Sequence, residues 1–73
     1  MEQEMMAMLR EEYPHIDFSS TTLVDDGFLD SLTITGIIAL LSMEYGVLIP
    51  YEEIIEENFN SVAGLCAMVK RLQ

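Results

Sequence analysis

Apolar residues recur every three or four positions along most of this chain, and no segment alternates apolar and polar residues as a half-buried strand would. This period brings the apolar side chains of a helix onto one face, which is buried against other helices. The two clearest stripes are Met5, Leu9 and Tyr13 near the start and Val62, Leu65, Val69 and Leu72 near the end. The pattern predicts an all-α fold, and a length of 73 residues predicts a single domain over residues 1–73.

Helix start and stop signals give the bounds of the first two predicted helices. Pro14 disfavours helical geometry in the residue before it, so the first helix covers residues 2–13. Asp30 is a good N-cap, and Gly46 is a good C-cap. The second helix is therefore predicted over residues 30–45.

The rest of the chain adds two predicted helices and a long connection. A short acidic helix is predicted over 51–57, and Asn60 or Ser61 is expected to cap the last helix. We therefore expect a small four-helix bundle with a short third helix and a long loop, residues 14–30, between helices 1 and 2. Six apolar side chains are expected to hold this loop against the core: Ile16, Phe18, Leu23, Val24, Phe28 and Leu29.

A strand is the competing interpretation of residues 33–38, because five β-branched residues lie there with Gly36 in the middle. A glycine inside a helix costs about 1 kcal/mol relative to alanine. A helix is favoured because the apolar period is nearer to a helical turn than to a strand, and because residues 30–45 are long for a strand. The face predicted to be buried consists of Ile34, Ile38, Leu41 and Tyr45.

The charge balance limits the classes of partner. The chain has 13 Asp and Glu against 3 Lys and Arg, a formal net charge of -10. Binding to nucleic acid or to an anionic membrane requires basic side chains, so we expect neither. A basic protein partner would be attracted, although charge alone favours the simpler interpretation that the acid keeps a small domain soluble.

The single cysteine, Cys66, allows no intramolecular disulfide, which suits a reducing compartment. The longest apolar run, 37–41, is too short to insert into a bilayer, and no basic segment precedes a long apolar one as in a signal peptide. We expect a cytoplasmic protein that is a monomer.

Residues suited to catalysis or metal binding are few. The chain has one histidine, His15, in a predicted loop, and Cys66 lies within an amphipathic helix, where a small core residue is the favoured interpretation. The acidic cluster at 25–30 does not fit an EF-hand. Counted from Asp25, the twelfth position, which should be glutamate, is Gly36. We expect no metal site and no catalytic residue, although spacing alone leaves a Cys–His pair open.

Ser31 has the most suggestive position in the chain. It follows the predicted N-cap Asp30, at the first position of a helix and after a turn that contains Gly27. A hydroxyl there would emerge at a surface corner, and the exposed N–H groups at a helix N-terminus favour an anion such as a phosphodiester. Spacing alone favours a plain surface serine beside a cap, because Asp-Ser commonly begins helices.

Segment 25–32, with the sequence Asp-Asp-Gly-Phe-Leu-Asp-Ser-Leu, closely resembles the attachment motif of acyl carrier proteins. That motif centres on Asp-Ser-Leu after a loop and before a long helix. Ile49-Pro50, the acidic stretch 51–57 and residues 58–62, Asn-Phe-Asn-Ser-Val, resemble the third helix and the start of the fourth in this family. The resemblance runs from about Leu23 to the end of the chain. Asp-Ser-Leu alone is a weak pattern, but its placement in an acidic chain of this length with this order of helices is specific.

The resemblance implies a carrier that is not itself an enzyme. Ser31 would bear 4′-phosphopantetheine, transferred from coenzyme A by a phosphopantetheinyl transferase, with Asp30 and Leu32 as the flanking motif residues. The arm would hold an acyl or aminoacyl cargo as a thioester and move it between partner enzymes. Those partners would be an adenylating ligase that loads the cargo and a transferase or synthase that accepts it.

The departures from the family narrow this implication. Fatty-acid carriers usually have a small pair such as Gly-Ala before Asp-Ser-Leu, whereas this chain has Phe28-Leu29, which is similar to D-alanyl and other free-standing aminoacyl carriers. The second helix also has one charged residue after its cap, Glu44. Its outer face is therefore expected to be neutral or apolar, and either to bind partners or to pack against the long loop. The residues expected to bind partners are Thr33, Gly36, Leu40, Met43, Glu44, Glu52, Glu53 and Glu56.

The alternative from another class is an acidic adaptor or inhibitor of the same fold that is never modified. It would interact with proteins through the same acidic surface and leave Ser31 bare. A catalytic role for His15 or Cys66 is the third interpretation.

Overall fold

The computed structural model describes all 73 residues, and its regular structure is helical throughout, which confirms the all-α prediction. Four α-helices and one 3-10 turn follow each other without any strand. Their bounds are α1 Glu2–Glu12, α2 Ser31–Tyr45, the 3-10 turn Tyr51–Glu53, α3 Glu56–Phe59 and α4 Val62–Leu72. None of these helices combines the length and the apolar character needed to cross a bilayer.

The first and last helices follow the sequence signals closely. α1 ends one residue before the predicted limit, and the Tyr13 amide that follows it donates to the Leu9 carbonyl oxygen at 2.8 Å. α4 is capped by Ser61 rather than by Asn60, because the Ser61 hydroxyl accepts a hydrogen bond from the Gly64 amide at 3.0 Å. That bond satisfies one of the amides that every helix N-terminus leaves without an internal partner.

Residues 31–45, for which a strand was the competing interpretation, form a helix. Asp30 is its N-cap, and Gly46 ends it in the left-handed conformation, with a φ of 65° that glycine adopts without strain. Leu41 of the predicted face is fully buried, as expected, whereas Ile34, Ile38 and Tyr45 are only partly buried. The other fully buried residue of α2, Ile37, was not part of the predicted face. Because α2 is apolar on nearly all sides, its periodicity did not define the buried face.

The third predicted helix, over 51–57, is wrong in detail. The chain instead forms a 3-10 turn, two extended residues at Ile54 and Ile55, and then the single turn of α3. The side-chain amide of Asn58 donates to the Glu53 carbonyl oxygen at 2.7 Å and takes the acceptor that a continuing helix would use. Adjacent β-branched residues also favour extended backbone, so the helix is interrupted there.

Fifteen buried apolar side chains form one core cluster. α4 packs against α1 and α3, and it contributes more of these side chains than any other element. The long loop contributes Ile16, Phe18, Leu23 and Leu29, as expected. Val24 is only partly buried, and Phe28 remains 44% exposed, so the prediction that Phe28 holds the loop to the core is wrong.

α4 approaches the preceding chain so closely that Gly64 has no room for a side chain. A Cβ at this position would lie 2.8 Å from the Glu57 carbonyl oxygen and 3.1 Å from that of Asn58. Both atoms belong to the backbone of α3 and cannot move aside without shifting the helix. The packing of α3 on α4 therefore requires glycine here.

Gly64→Ala is expected to lower the free energy of unfolding by about 1–3 kcal/mol, the usual cost of overpacking, although alanine is the better helix former. Gly36→Ala is the matched control, because the nearest obstacle there is the Tyr13 hydroxyl, the end of a side chain that can turn aside. Urea unfolding followed by circular dichroism compares the two variants. A Gly64→Ala protein as stable as Gly36→Ala would contradict this account of the contact.

Candidate functional site

Ser31 is the first residue of α2, and its side chain is exposed to solvent. Its carbonyl oxygen accepts a hydrogen bond from the Thr35 hydroxyl at 2.8 Å. Leu32, the next residue, is 82% exposed. The hydroxyl predicted to carry a prosthetic group therefore lies at an open corner between the loop and the helix, where another protein can reach it.

Asp30 fixes the direction in which α2 begins. Its Oδ1 accepts a hydrogen bond from the Thr33 amide at 2.7 Å, as in a regular N-cap. Hydrogen bonds from the amide and the hydroxyl of Thr33 hold the pKa of the Asp30 carboxyl below its ordinary value of 3.8. The carboxylate is thus ionised at neutral pH, and its charge lies at the positive end of the helix dipole beside Ser31.

The part of the loop immediately before Ser31 forms a hydrogen-bonded turn. The Leu23 carbonyl oxygen accepts from the amides of Phe28 at 2.9 Å and Leu29 at 3.2 Å. Gly27 closes the turn with a φ of 78°, a conformation that side chains rarely adopt. The turn ends immediately before Asp30, so its geometry sets the position of the cap and of Ser31.

An apolar cavity of about 220 Å³ opens beside the start of α2. Ile34, one helical turn after Ser31, lies in its wall, so the cavity and the serine are on neighbouring parts of the helix surface. The other residues that line it are Val24, Ile54, Ile55, Glu56 and Phe59. The break between the 3-10 turn and α3 brings the two isoleucines to this cavity, and this is the feature that the sequence did not predict.

A larger surface depression, of about 580 Å³, lies against the first turns of α1. Its walls include Glu2, Gln3 and Arg10, it is mostly polar, and it is open to solvent. No reactive group converges on it, and none of the predicted site residues lines it. The smaller apolar cavity is the more relevant one because Ile34, one helical turn after Ser31, lines it.

Of the residues expected to bind partners on α2, Met43 and Glu44 are exposed, Met43 by 80%. Thr33, Gly36 and Leu40 are half-buried, and the Tyr13 hydroxyl lies over Gly36. The exposed stripe of α2 is rotated by about one residue from the predicted one. Its members are Leu32, Thr35, Ala39 and Met43.

This stripe carries no charge along its length, and Glu44 lies at its far end. Thr35 and Ala39 were missed because the apolar period of α2 is weak. Counting helical turns from the Asp30 cap, through Leu32, would have found them.

The three glutamates expected to bind partners near the third helix have different surroundings. Glu52 is exposed, and Glu56 lies at the rim of the apolar cavity. Glu53 instead faces α4, where its carboxylate contacts the Arg71 guanidinium at 2.7 Å and accepts from the Asn58 amide at 3.0 Å. Its charge is compensated within the chain, so Glu52 and Glu56 are the two glutamates of this set with free carboxylates.

Cys66 and His15 are not brought together. Cys66 is buried, its Sγ lies 3.6 Å from the Met5 sulfur, and burial raises the pKa of its thiol. His15 is exposed on the loop and packs edge-on against the Tyr13 ring. No three His, Cys, Asp or Glu side chains are grouped so that they would hold a metal ion.

Comparison of the chain with protein-family models, with curated proteins and with solved structures gives no match. The geometry around Ser31 and the resemblance of its sequence motif are therefore the two observations that bear on function.

The lowered pKa of Asp30 predicts a specific loss of stability in acid. The cap stabilises the fold fully above about pH 3.8, where the unfolded carboxyl is ionised, and the stabilisation is lost as the pH falls through the lower pKa of the folded protein. Asp30→Asn keeps a capping oxygen but removes the charge and its titration. The difference in Tm between wild type and Asp30→Asn should therefore shrink as the pH is lowered from neutral to about 3.

Glu44→Gln is the matched control, because it removes one carboxylate from α2 without touching the cap. The Tm difference between wild type and Glu44→Gln should not shrink with falling pH in the way that the difference for Asp30→Asn does. Parallel pH profiles for the two variants would contradict the role given to Asp30.

Proposed function

We propose that this protein is an acyl or aminoacyl carrier that bears 4′-phosphopantetheine on Ser31 and presents its cargo to partner enzymes. The observation that carries the proposal is the exposed hydroxyl of Ser31 at the first residue of α2, directly after the Asp30 cap and within an Asp-Ser-Leu motif. The order of the helices, with a long loop before α2, supports a carrier-type four-helix bundle.

The residues around Ser31 fit the attachment of such a group. The hydroxyl is exposed, and its neighbours Phe28 and Leu32 are 44% and 82% exposed. A phosphodiester at this position would need no buried side chain to move. The dipole of α2 favours the added negative charge, and the Asp30 carboxylate already accepts the Thr33 amide.

The attachment step requires little from this chain beyond presentation. The Ser31 oxygen forms a bond to the phosphorus of the pantetheine 4′-phosphate, the anhydride bond of coenzyme A breaks, and adenosine 3′,5′-bisphosphate leaves. The serine proton passes to a base of the separate transferase, because no histidine or other base of this chain bonds to the hydroxyl. Once bound, the group supplies a terminal thiol that holds the cargo as a thioester. Tethering then raises the local concentration of that cargo at a partner's active site.

The cavity beside Ile34 suggests the size of cargo that the protein itself can shelter. Its volume of about 220 Å³ is smaller than that of typical small-molecule pockets, which begin near 300 Å³. A short acyl group or an amino acid side chain suits it better than a long fatty chain. This supports the aminoacyl or short-acyl form of the proposal, as does the Phe28-Leu29 pair before the motif.

Partner recognition would combine an acidic surface with an apolar contact. Glu56 lies at the rim of the cavity and Glu52 is exposed, and both would guide a basic partner, with an association rate that falls as salt rises. The stripe of α2 through Leu32 and Met43 is uncharged, so it would contact that partner through apolar groups. The partners in question are the phosphopantetheinyl transferase, the adenylating ligase and the acceptor enzyme.

Incubation with coenzyme A and a permissive phosphopantetheinyl transferase should add one phosphopantetheine to the protein, and Ser31→Ala should abolish the addition. Intact mass and tandem mass spectrometry measure the gain and its position. Ser42→Ala, which changes a half-buried serine of the same helix, should be modified like wild type. Wild-type protein that gains no mass with several such transferases would instead favour the unmodified adaptor.

Met43→Ser should weaken binding to the loading enzyme by roughly ten- to a hundredfold, because burial of a large apolar side chain contributes about 1.5–3 kcal/mol. Glu44→Gln, its neighbour, should change affinity little and leave the salt dependence as in wild type. Titration of the ligase at two salt concentrations measures both effects. A steep salt dependence that Glu44→Gln removes, with no effect of Met43→Ser, would contradict an apolar contact on α2.

A further inference from the structure

Asn60 joins two parts of the chain that are far apart in sequence. Its side-chain Oδ1 accepts hydrogen bonds from the amides of Val24 at 2.8 Å and Asp25 at 3.2 Å. Its side-chain Nδ2 donates to the Asp25 carboxylate at 3.3 Å. Its backbone carbonyl oxygen accepts from the Leu23 amide at 2.9 Å. One residue thus binds three consecutive residues of the long loop.

The residues that Asn60 holds are the base of the turn before Ser31. Leu23 is buried, and its carbonyl oxygen accepts the amides of Phe28 and Leu29 at the other end of that turn. Leu29 is followed directly by the Asp30 cap. Hydrogen bonds therefore connect the junction of α3 and α4 to Leu29, the residue before the Asp30 cap: the Asn60 backbone carbonyl holds Leu23, and the Asn60 side chain holds the next two residues of the turn.

We propose that Asn60 is a positioning residue for Ser31, which holds the loop in the one conformation that presents the serine hydroxyl to the modifying and loading enzymes. The inference rests on the proposed carrier function. Asn60 touches neither the hydroxyl nor the cargo, so it acts only through the turn. Solubility and helix capping do not require the loop before Ser31 to have a fixed conformation. Modification by an enzyme does, because the serine hydroxyl must reach the active site in one orientation.

The expected kinetic effect follows from the fraction of protein in the competent conformation. If the loop opens, only a fraction of the molecules presents Ser31 correctly, and the apparent affinity of the transferase for the carrier falls by that fraction. The step after binding is unchanged, because the bound molecule has the same geometry. Loss of the Asn60 side chain should therefore raise KM for the carrier and leave kcat nearly constant.

The contact between Asn60 and Asp25 provides a reciprocal test. Asn60→Asp keeps an acceptor for the two loop amides but sets a second carboxylate against Asp25, where like charges repel. Adding Asp25→Asn restores an amide that can donate to the new carboxylate. The double variant should restore the hydrogen bond between residues 25 and 60, with the donor now on residue 25 and the acceptor on residue 60.

The experiment measures transfer of phosphopantetheine from coenzyme A by one permissive transferase, with wild type and variants as the carrier substrate. Asn60→Ala and Asn60→Asp should each raise KM roughly tenfold with little change in kcat, and Asn60→Asp with Asp25→Asn should return KM close to wild type. Asp25→Asn alone is measured alongside, so that any direct contact of Asp25 with the transferase is seen separately.

Ser61→Ala is the matched control for stability. Ser61 is the adjacent residue and caps α4, so its loss lowers Tm, but it makes no hydrogen bond to the loop. At a temperature well below both midpoints, Ser61→Ala should have wild-type KM and kcat. Amide hydrogen exchange adds a readout that needs no enzyme: Asn60→Ala should speed exchange at Val24, Asp25, Phe28 and Leu29, and Ser61→Ala should not.

Two failures are distinguishable. Wild type that is not modified at Ser31 overturns the carrier proposal, and this inference with it. Wild type that is modified normally, together with an Asn60→Ala protein whose loop amides exchange faster but whose KM is unchanged, overturns the positioning role alone. An effect of Asn60→Ala that Ser61→Ala reproduces, or an Asn60→Asp defect that Asp25→Asn does not relieve, also overturns it.

Discussion

The longest loop of this chain supplies part of its core, and the rest of the fold depends on that constraint. A domain of 73 residues buries a modest share of its surface, so the loop must contribute apolar side chains to the core as well as the helices. Ile16, Phe18, Leu23 and Leu29 come from the loop and join the same cluster as the helices. Because those residues are buried, the backbone between them must follow one path, and the start of α2 is placed by it.

The same constraint explains which parts of the fold could be predicted from the sequence. α1 and α4 have clear apolar stripes and recognisable end signals, and both form within about one residue of their expected bounds. The caps of α2 were predicted correctly but its buried face only in part, because residues are apolar on nearly all its sides. When a helix is apolar all round, its neighbours decide which face is buried, and those neighbours are distant in sequence.

The prediction of a continuous third helix was wrong for a related reason. Composition over 51–57 suits a helix, but the side chain of Asn58 bonds to the Glu53 carbonyl oxygen, and the Arg71 guanidinium from the other end of the chain holds Glu53 and Asn58 together. Such tertiary hydrogen bonds have no local signature. Asn60 is a comparable case: the sequence suggested it as a cap, whereas its side chain binds the loop and Ser61 is the cap.

At the candidate site, local rules were sufficient for the serine and insufficient for its surroundings. The Asp30 cap and the exposed first position of α2 follow from residues that are adjacent in the chain. The apolar cavity combines the loop, α2 and the interrupted third segment, and the exposed stripe of α2 is set by how that helix packs.

The measurement that tests the carrier proposal most directly is the intact mass of this protein isolated from its native host, with fragments that locate any added group. A carrier protein should have a mass above that of the bare chain by one phosphopantetheine, alone or with its thioester-bound cargo, attached at Ser31. A cellular population in which Ser31 is unmodified throughout would contradict the carrier proposal.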